Sequence, residues 1–123
     1  MKSENAIQQK SFDFGLRIIK LNDFLKANHV DDVLCKQVLR SGTSIGANVE
    51  EAIGAQTRNE FYSKLTIAYK EARETKYWIG QLGGSCKINR KLADSFLNDC
   101  EEILKLIGSI QKTLKSGDDK GNP

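Results

Sequence analysis

The chain has 123 residues, 39% of them hydrophobic and 28% charged, with a mean hydropathy of −0.46. That is enough apolar material for one core of ordinary domain size and too little chain for a two-domain enzyme. No run approaches the ~18 apolar residues of a membrane helix, and the opening MKSENAIQQK has no apolar signal segment, so a cytoplasmic protein with no membrane contact is expected.

Charge is unevenly placed. Residues 1–57 carry 7 basic and 7 acidic groups, residues 58–91 carry 8 and 3, and residues 92–123 carry 4 and 6, so the net +3 comes from the middle of the chain. The single proline is Pro123, which leaves long helices unbroken and points to an all-α fold. Cys35, Cys86 and Cys100 form no CxxC pair and His29 stands apart from them, so neither a zinc site nor any other cofactor is expected.

In chain order, residues 1–10 read as a flexible polar tail, and Ser11 as the cap of a first helix ending near Asn28. At about 100° per residue, Phe14, Ile18, Leu21 and Leu25 fall on one side of it while Phe12, Leu16 and Ile19 fall on another. One core cannot bury both. Asp31 and Asp32 favour the amino end of a second helix running to Ala52 or Ile53. On it Val30, Leu34, Ser41, Ile45, Asn48 and Ala52 form one stripe, and Cys35, Leu39, Gly42, Gly46 and Ile53 a second. Propensity alone makes RSGTSIGAN a loop, but the apolar phase continues from Leu34 to Ala52, so the spacing predicts helix, with Gly42 and Gly46 as close-packing positions.

Thr57-Arg58-Asn59-Glu60 matches a capping box, and the third helix carries Phe61, Leu65, Ala68, Ala72, Thr75, Ile79 and Leu82 as a core seam before Gly83-Gly84. A fourth helix from about Asn89 carries Phe96, Cys100, Ile103, Ile107, Ile110 and Leu114, ahead of a disordered tail over 116–123. Four such helices over 11–115, joined by short turns, imply an antiparallel up-down-up-down four-helix bundle.

Arg40-Ser41, Ser44-Ile45, Asn48 and Glu51, then Glu60-Phe61, Leu65 and Ile67-Ala68, together with KEARETKYWIGQL over Lys70–Leu82, resemble the four-helix-bundle family encoded in intervening sequences of bacterial 23S ribosomal RNA genes. Ala52 stands where many members carry glycine. The resemblance implies the bundle fold, a homopentamer, and no established activity. It extends distantly to accessory variability proteins of diversity-generating retroelements, which partner a reverse transcriptase and bind nucleic acid. Independently of it, the two-faced first helix predicts self-association, since a monomer leaves the Phe12, Leu16 and Ile19 face wet.

Catalysis is not expected. Arg40, Ser44 and Glu51 share a flank with Asn48 nearby, but Arg40 and Glu51 are about 16 Å apart along a helix and need partners elsewhere. The group lacks an evident nucleophile, a histidine base and a metal-ligand cluster, and reads as ion pairs and hydrogen bonds within the bundle or at an interface. Glu50, Glu51, Glu71 and Glu74 lack the Glu-x-x-His elements of carboxylate metal bundles, and GTSIG lacks the lysine and preceding strand of a phosphate loop. No motif points to a small-molecule substrate.

The leading reading is therefore a non-enzymatic, self-associating helical scaffold with an unknown client. The alternative is a nucleic-acid-binding accessory module. It would use the outer face of the third helix, where Lys70, Arg73 and Lys76 interleave with Tyr62, Tyr69 and Tyr77. Against that stands the simpler arrangement in which the tyrosines flank the core and the cations form surface pairs, Glu60–Lys64 among them.

Overall fold

A computed structural model describes residues 2–121, with side chains over 2–116. It contains α1 (Lys2–Ala27), α2 (Asp32–Ile53), α3 (Arg58–Gly84) and α4 (Arg90–Gly121), and no strand among the described residues. Gln8 reaches Glu50 and Ser11 lies against Gly46; Arg40 reaches Glu71 and Glu51 reaches Lys64; Thr66 meets Gln111 and Lys76 meets Glu101; Lys10 meets Glu102 and Arg17 meets Ser95. In every pair the partner number falls as the residue number rises, so adjacent helices run antiparallel. Each helix packs on its chain neighbour, and α1 closes the ring onto α4.

The first helix already includes Lys2 and does not wait for Ser11, which corrects the expected tail over 1–10 as far as it is described; Met1 lies outside the described residues. Ile7, Ser11, Phe14, Ile18, Leu21 and Leu25 form one unbroken buried stripe with the four- and three-residue steps of a bundle helix. Ser11 is inside that stripe, its hydroxyl donating to the Gln8 carbonyl at 3.2 Å. A small hydroxyl residue suits a packed helix face as well as a cap, and Ile7 makes the difference. At the other end α4 continues to Gly121, so the segment expected to be disordered over 116–123 is helical as far as it is described; Asn122 and Pro123 lie outside the described residues.

The chain turns are defined by their caps. α1 ends with Val30 N–H donating to the Leu25 carbonyl and His29 in the left-handed region at φ 60°; α3 ends in the same way, with Lys87 N–H on the Leu82 carbonyl and Cys86 at φ 61°. Asp31 accepts from Val33 N–H to start α2, and Asn89 accepts from Leu92 N–H to start α4. At α3 the Thr57 hydroxyl accepts from Glu60 N–H at 3.1 Å, while the Glu60 carboxylate reaches back to Gln56 N–H, also at 3.1 Å.

In the interior, Leu65, Ala68, Ala72, Thr75, Ile79 and Leu82 of α3 are buried and Phe61 is half-buried. On α2 the buried face runs between the two expected stripes, with Val38 and Val49 at its centre and Leu34, Leu39, Gly46 and Asn48 at its margins. RSGTSIGAN is helical throughout. A Cβ on Gly46 would lie 3.2 Å from the Ser11 carbonyl oxygen, and one on Gly42 would lie 2.6 to 2.9 Å from the Ile18 side chain, so both glycines let α1 approach α2 closely. Phe14 packs edge-on to Phe96 across α1 and α4, with the Arg17 guanidinium 4.0 Å above the Phe96 ring. Asn22 Oδ1 is buried without a protein partner.

Candidate functional site

Three groups of residues stand out, and the fold treats each differently. The first is the polar flank of α2. Arg40 donates to Glu71 Oε2 at 3.1 Å and pairs with Glu74, whose carboxylate also accepts the Trp78 indole N–H at 2.9 Å. The indole and then the guanidinium hold the Glu74 carboxyl below the usual carboxylate range, and Glu74 in turn raises the Arg40 pKa. Ser44 donates its hydroxyl to the Arg40 carbonyl at 2.6 Å, Asn48 donates to the Ser44 carbonyl at 2.8 Å, and Glu51 accepts from Lys64 at 3.0 Å. Arg40 and Glu51 are thus each paired across to α3. The Ser44 hydroxyl donates to a backbone carbonyl, and the Arg40 and Glu51 ion pairs make this group a clamp between α2 and α3. The buried Ser41 and Thr75 hydroxyls, hydrogen-bonded at 3.0 Å, continue the clamp inward. Glu50 accepts from Gln8, and no three His, Cys, Asp or Glu side chains among the described residues converge as a metal-holding group.

The second group is the outer face of α1. Phe12, Leu16 and Ile19 are 61%, 47% and 46% exposed, while Phe14, Ile18, Leu21 and Leu25 are buried. The third is the outer face of α3, where the charges are sorted by flank. Glu71 and Glu74 turn to α2 and Glu60 is spent at the cap. Lys76 turns the other way, to Glu101 on α4, and that contact holds the Glu101 carboxyl below its ordinary pKa. Lys64 goes to Glu51 and not to Glu60. Lys70 and Arg73 are exposed with no ion-pair partner among the described residues, and Tyr77 is 58% exposed. Tyr69 packs against the core, and Tyr62 is half-buried. The third helix therefore does not present six equivalent residues outward.

A feature that no motif announced lies where α3 meets α4. Gly80, Gly83, Gly84, Arg90, Ala93, Asp94 and Leu97 line a shallow groove of about 250 Å³. Its signal in the sequence is the cluster of glycines near the end of α3. Burial decides the thiols: Cys100 is pushed up to about 12, Cys35 is raised, and Cys86 is exposed in its turn.

Fold and surface together define a helical bundle with an exposed apolar face on α1 and a separate basic flank on α3. Residues 3–109 match the 23S rRNA-intervening sequence protein family, and the chain belongs to that family. Its fold is similar to the crystal structure of a protein of unknown function from the S23 ribosomal protein family of Bacteroides thetaiotaomicron. The two share 47% identity over 89% of this chain and 98% of that one, with a TM-score of 0.87. No curated protein matches the chain. No helix among the described residues is long and apolar enough to cross a membrane.

Proposed function

We propose that the protein is a non-catalytic scaffold that assembles with copies of itself through α1. The observation that carries this reading is the face of Phe12, Leu16 and Ile19: three large apolar side chains held in one row by a helix whose opposite face already fills the core. Leaving the row in water forgoes the stabilisation of burying it, on the order of 25 cal/mol per Å² of apolar area, and a second copy supplies the cover. The family resemblance favours a closed ring of five. The polar clamp of Arg40, Ser44, Asn48 and Glu51 serves this role by stiffening the α2–α3 pair against which α1 is presented.

Light scattering at micromolar concentration tests the reading. The wild-type chain should run as an oligomer, and replacing Phe12, Leu16 and Ile19 together with lysine should give a monomer of unchanged helicity, because none of the three belongs to the core. A wild-type chain that is folded and monomeric overturns it.

A further inference from the structure

We propose that the junction of α3 and α4 is a binding groove for single-stranded nucleic acid. The glycine-lined groove does not end at Leu97. It shares Gly80 with a second depression lined by Arg73, Lys76 and Tyr77, and shares Gly83, Gly84 and Arg90 with a third that includes Lys87 and Phe24. The three form one channel along the last turns of α3 and around the start of α4. From Arg73 to Gly84 it follows about 16 Å of helix.

Three properties of the channel point to the same ligand. Three of its four cations are uncommitted: Lys76 pairs with Glu101, but Arg73, Lys87 and Arg90 have no ion-pair partner among the described residues, because the acids of α3 are drawn to α2 and to the amino-terminal cap. Its floor is bare backbone. A Cβ on Gly80 or Gly84 would meet nothing within 4 Å, so alanine there would fit and favour the helix more; these two glycines widen a surface open to the outside, whereas a Cβ on Gly83 would lie 3.0 Å from the Ala93 side chain and that glycine lets α4 approach. Finally, aromatic surface borders the cations. Tyr77 stands at the channel, its ring edge-on to Trp78 at 5.1 Å and 73°, and Trp78 is itself held by Glu74; Phe24, 47% exposed, stands at the far end. Cations placed for phosphates beside aromatic faces placed for bases are the chemistry of single-strand binding, since unstacked bases reach a ring that duplex bases cannot. An acidic peptide would use the cations and leave the rings idle. The channel is built on α3 and α4, and Phe24, the α1 residue at its far end, is outside the Phe12, Leu16 and Ile19 row, so this inference stands or falls independently of self-association.

The test is fluorescence anisotropy of a labelled dT20 strand with the purified full chain at 50 mM and 200 mM salt. Binding that weakens with salt is expected. Arg73→Gln, Lys87→Gln and Arg90→Gln combined should weaken it at least tenfold and flatten the slope of log affinity against log salt by about 2, at roughly 0.7 per phosphate contact. Tyr77→Ala should cost about tenfold with the slope kept. Gly80→Leu with Gly84→Leu, which adds no charge and favours the helix, should block the channel, and circular dichroism confirms that each variant is folded. Absence of binding at 50 mM salt overturns the proposal, as does a triple glutamine variant with unchanged affinity and slope. Equal competition by a duplex of the same length, or by polyglutamate of matched charge, overturns it as well.

Discussion

Glu74 takes two donors, the Trp78 indole and the Arg40 guanidinium, and joins α2 to its own helix. Because its folded pKa lies below the ordinary 4.5, its ionised form is favoured by folding. That stabilisation is present in full above pH 4.5 and is lost as pH falls through the lower folded value. Glu74→Gln should therefore cost stability at pH 7, by less than about 1 kcal/mol because Arg40 and Glu74 are themselves 48% and 36% exposed to screening water, and the difference from wild type should vanish near pH 2. Urea melts at the two pH values check the sign. The residues of this clamp were legible one by one, but their partners were not. Arg40 meets groups 31 and 34 positions along the chain, and which of α3's carboxylates it meets depends on the register set by the intervening turn.

At the scale of the helix, glycine separates two kinds of position. Gly42 faces the stiff, branched Ile18 side chain and Gly46 faces the Ser11 backbone, whereas a Cβ on Gly108 meets nothing. Gly42→Ala should cost about 1–3 kcal/mol through overpacking. Gly46→Leu should lower helicity or oligomer mass despite leucine's better propensity. Gly108→Ala should instead stabilise by about 0.5–1 kcal/mol; chemical denaturation reads the two alanine variants, and circular dichroism with light scattering reads Gly46→Leu. The α3 seam was readable because its buried residues, Leu65 to Leu82, keep a single phase for about five turns behind an unambiguous cap. The start of α1 was not: Ser11 satisfies the local pattern of a cap, and only Ile7's burial against the other helices shows that the helix continues through it.

For the whole molecule, the proposed assembly through α1 would link stability to concentration. If oligomer formation covers Phe12, Leu16 and Ile19, the melting temperature should rise with protein concentration, and the lysine variants of that face should melt at a lower temperature that concentration does not change. Differential scanning calorimetry across about a hundredfold range of concentration reads both.

The sequence by itself determined four amphipathic helices, their order, the helical state of the glycine-rich stretch of α2, and the fact that α1 carries more apolar surface than one core accepts. These follow from periodicity and capping, which are local and are written in neighbouring residues. Only the tertiary structure decided which cations are spent and which are free. Lys64, Lys76 and Arg73 look alike in a sequence, yet the first two meet carboxylates on α2 and α4 while the third faces the channel. The same holds for the glycines, some pressed against α1 and others open to the surface, because ion pairs and close approaches arise from the juxtaposition of helices far apart in the chain, and that juxtaposition has no local pattern.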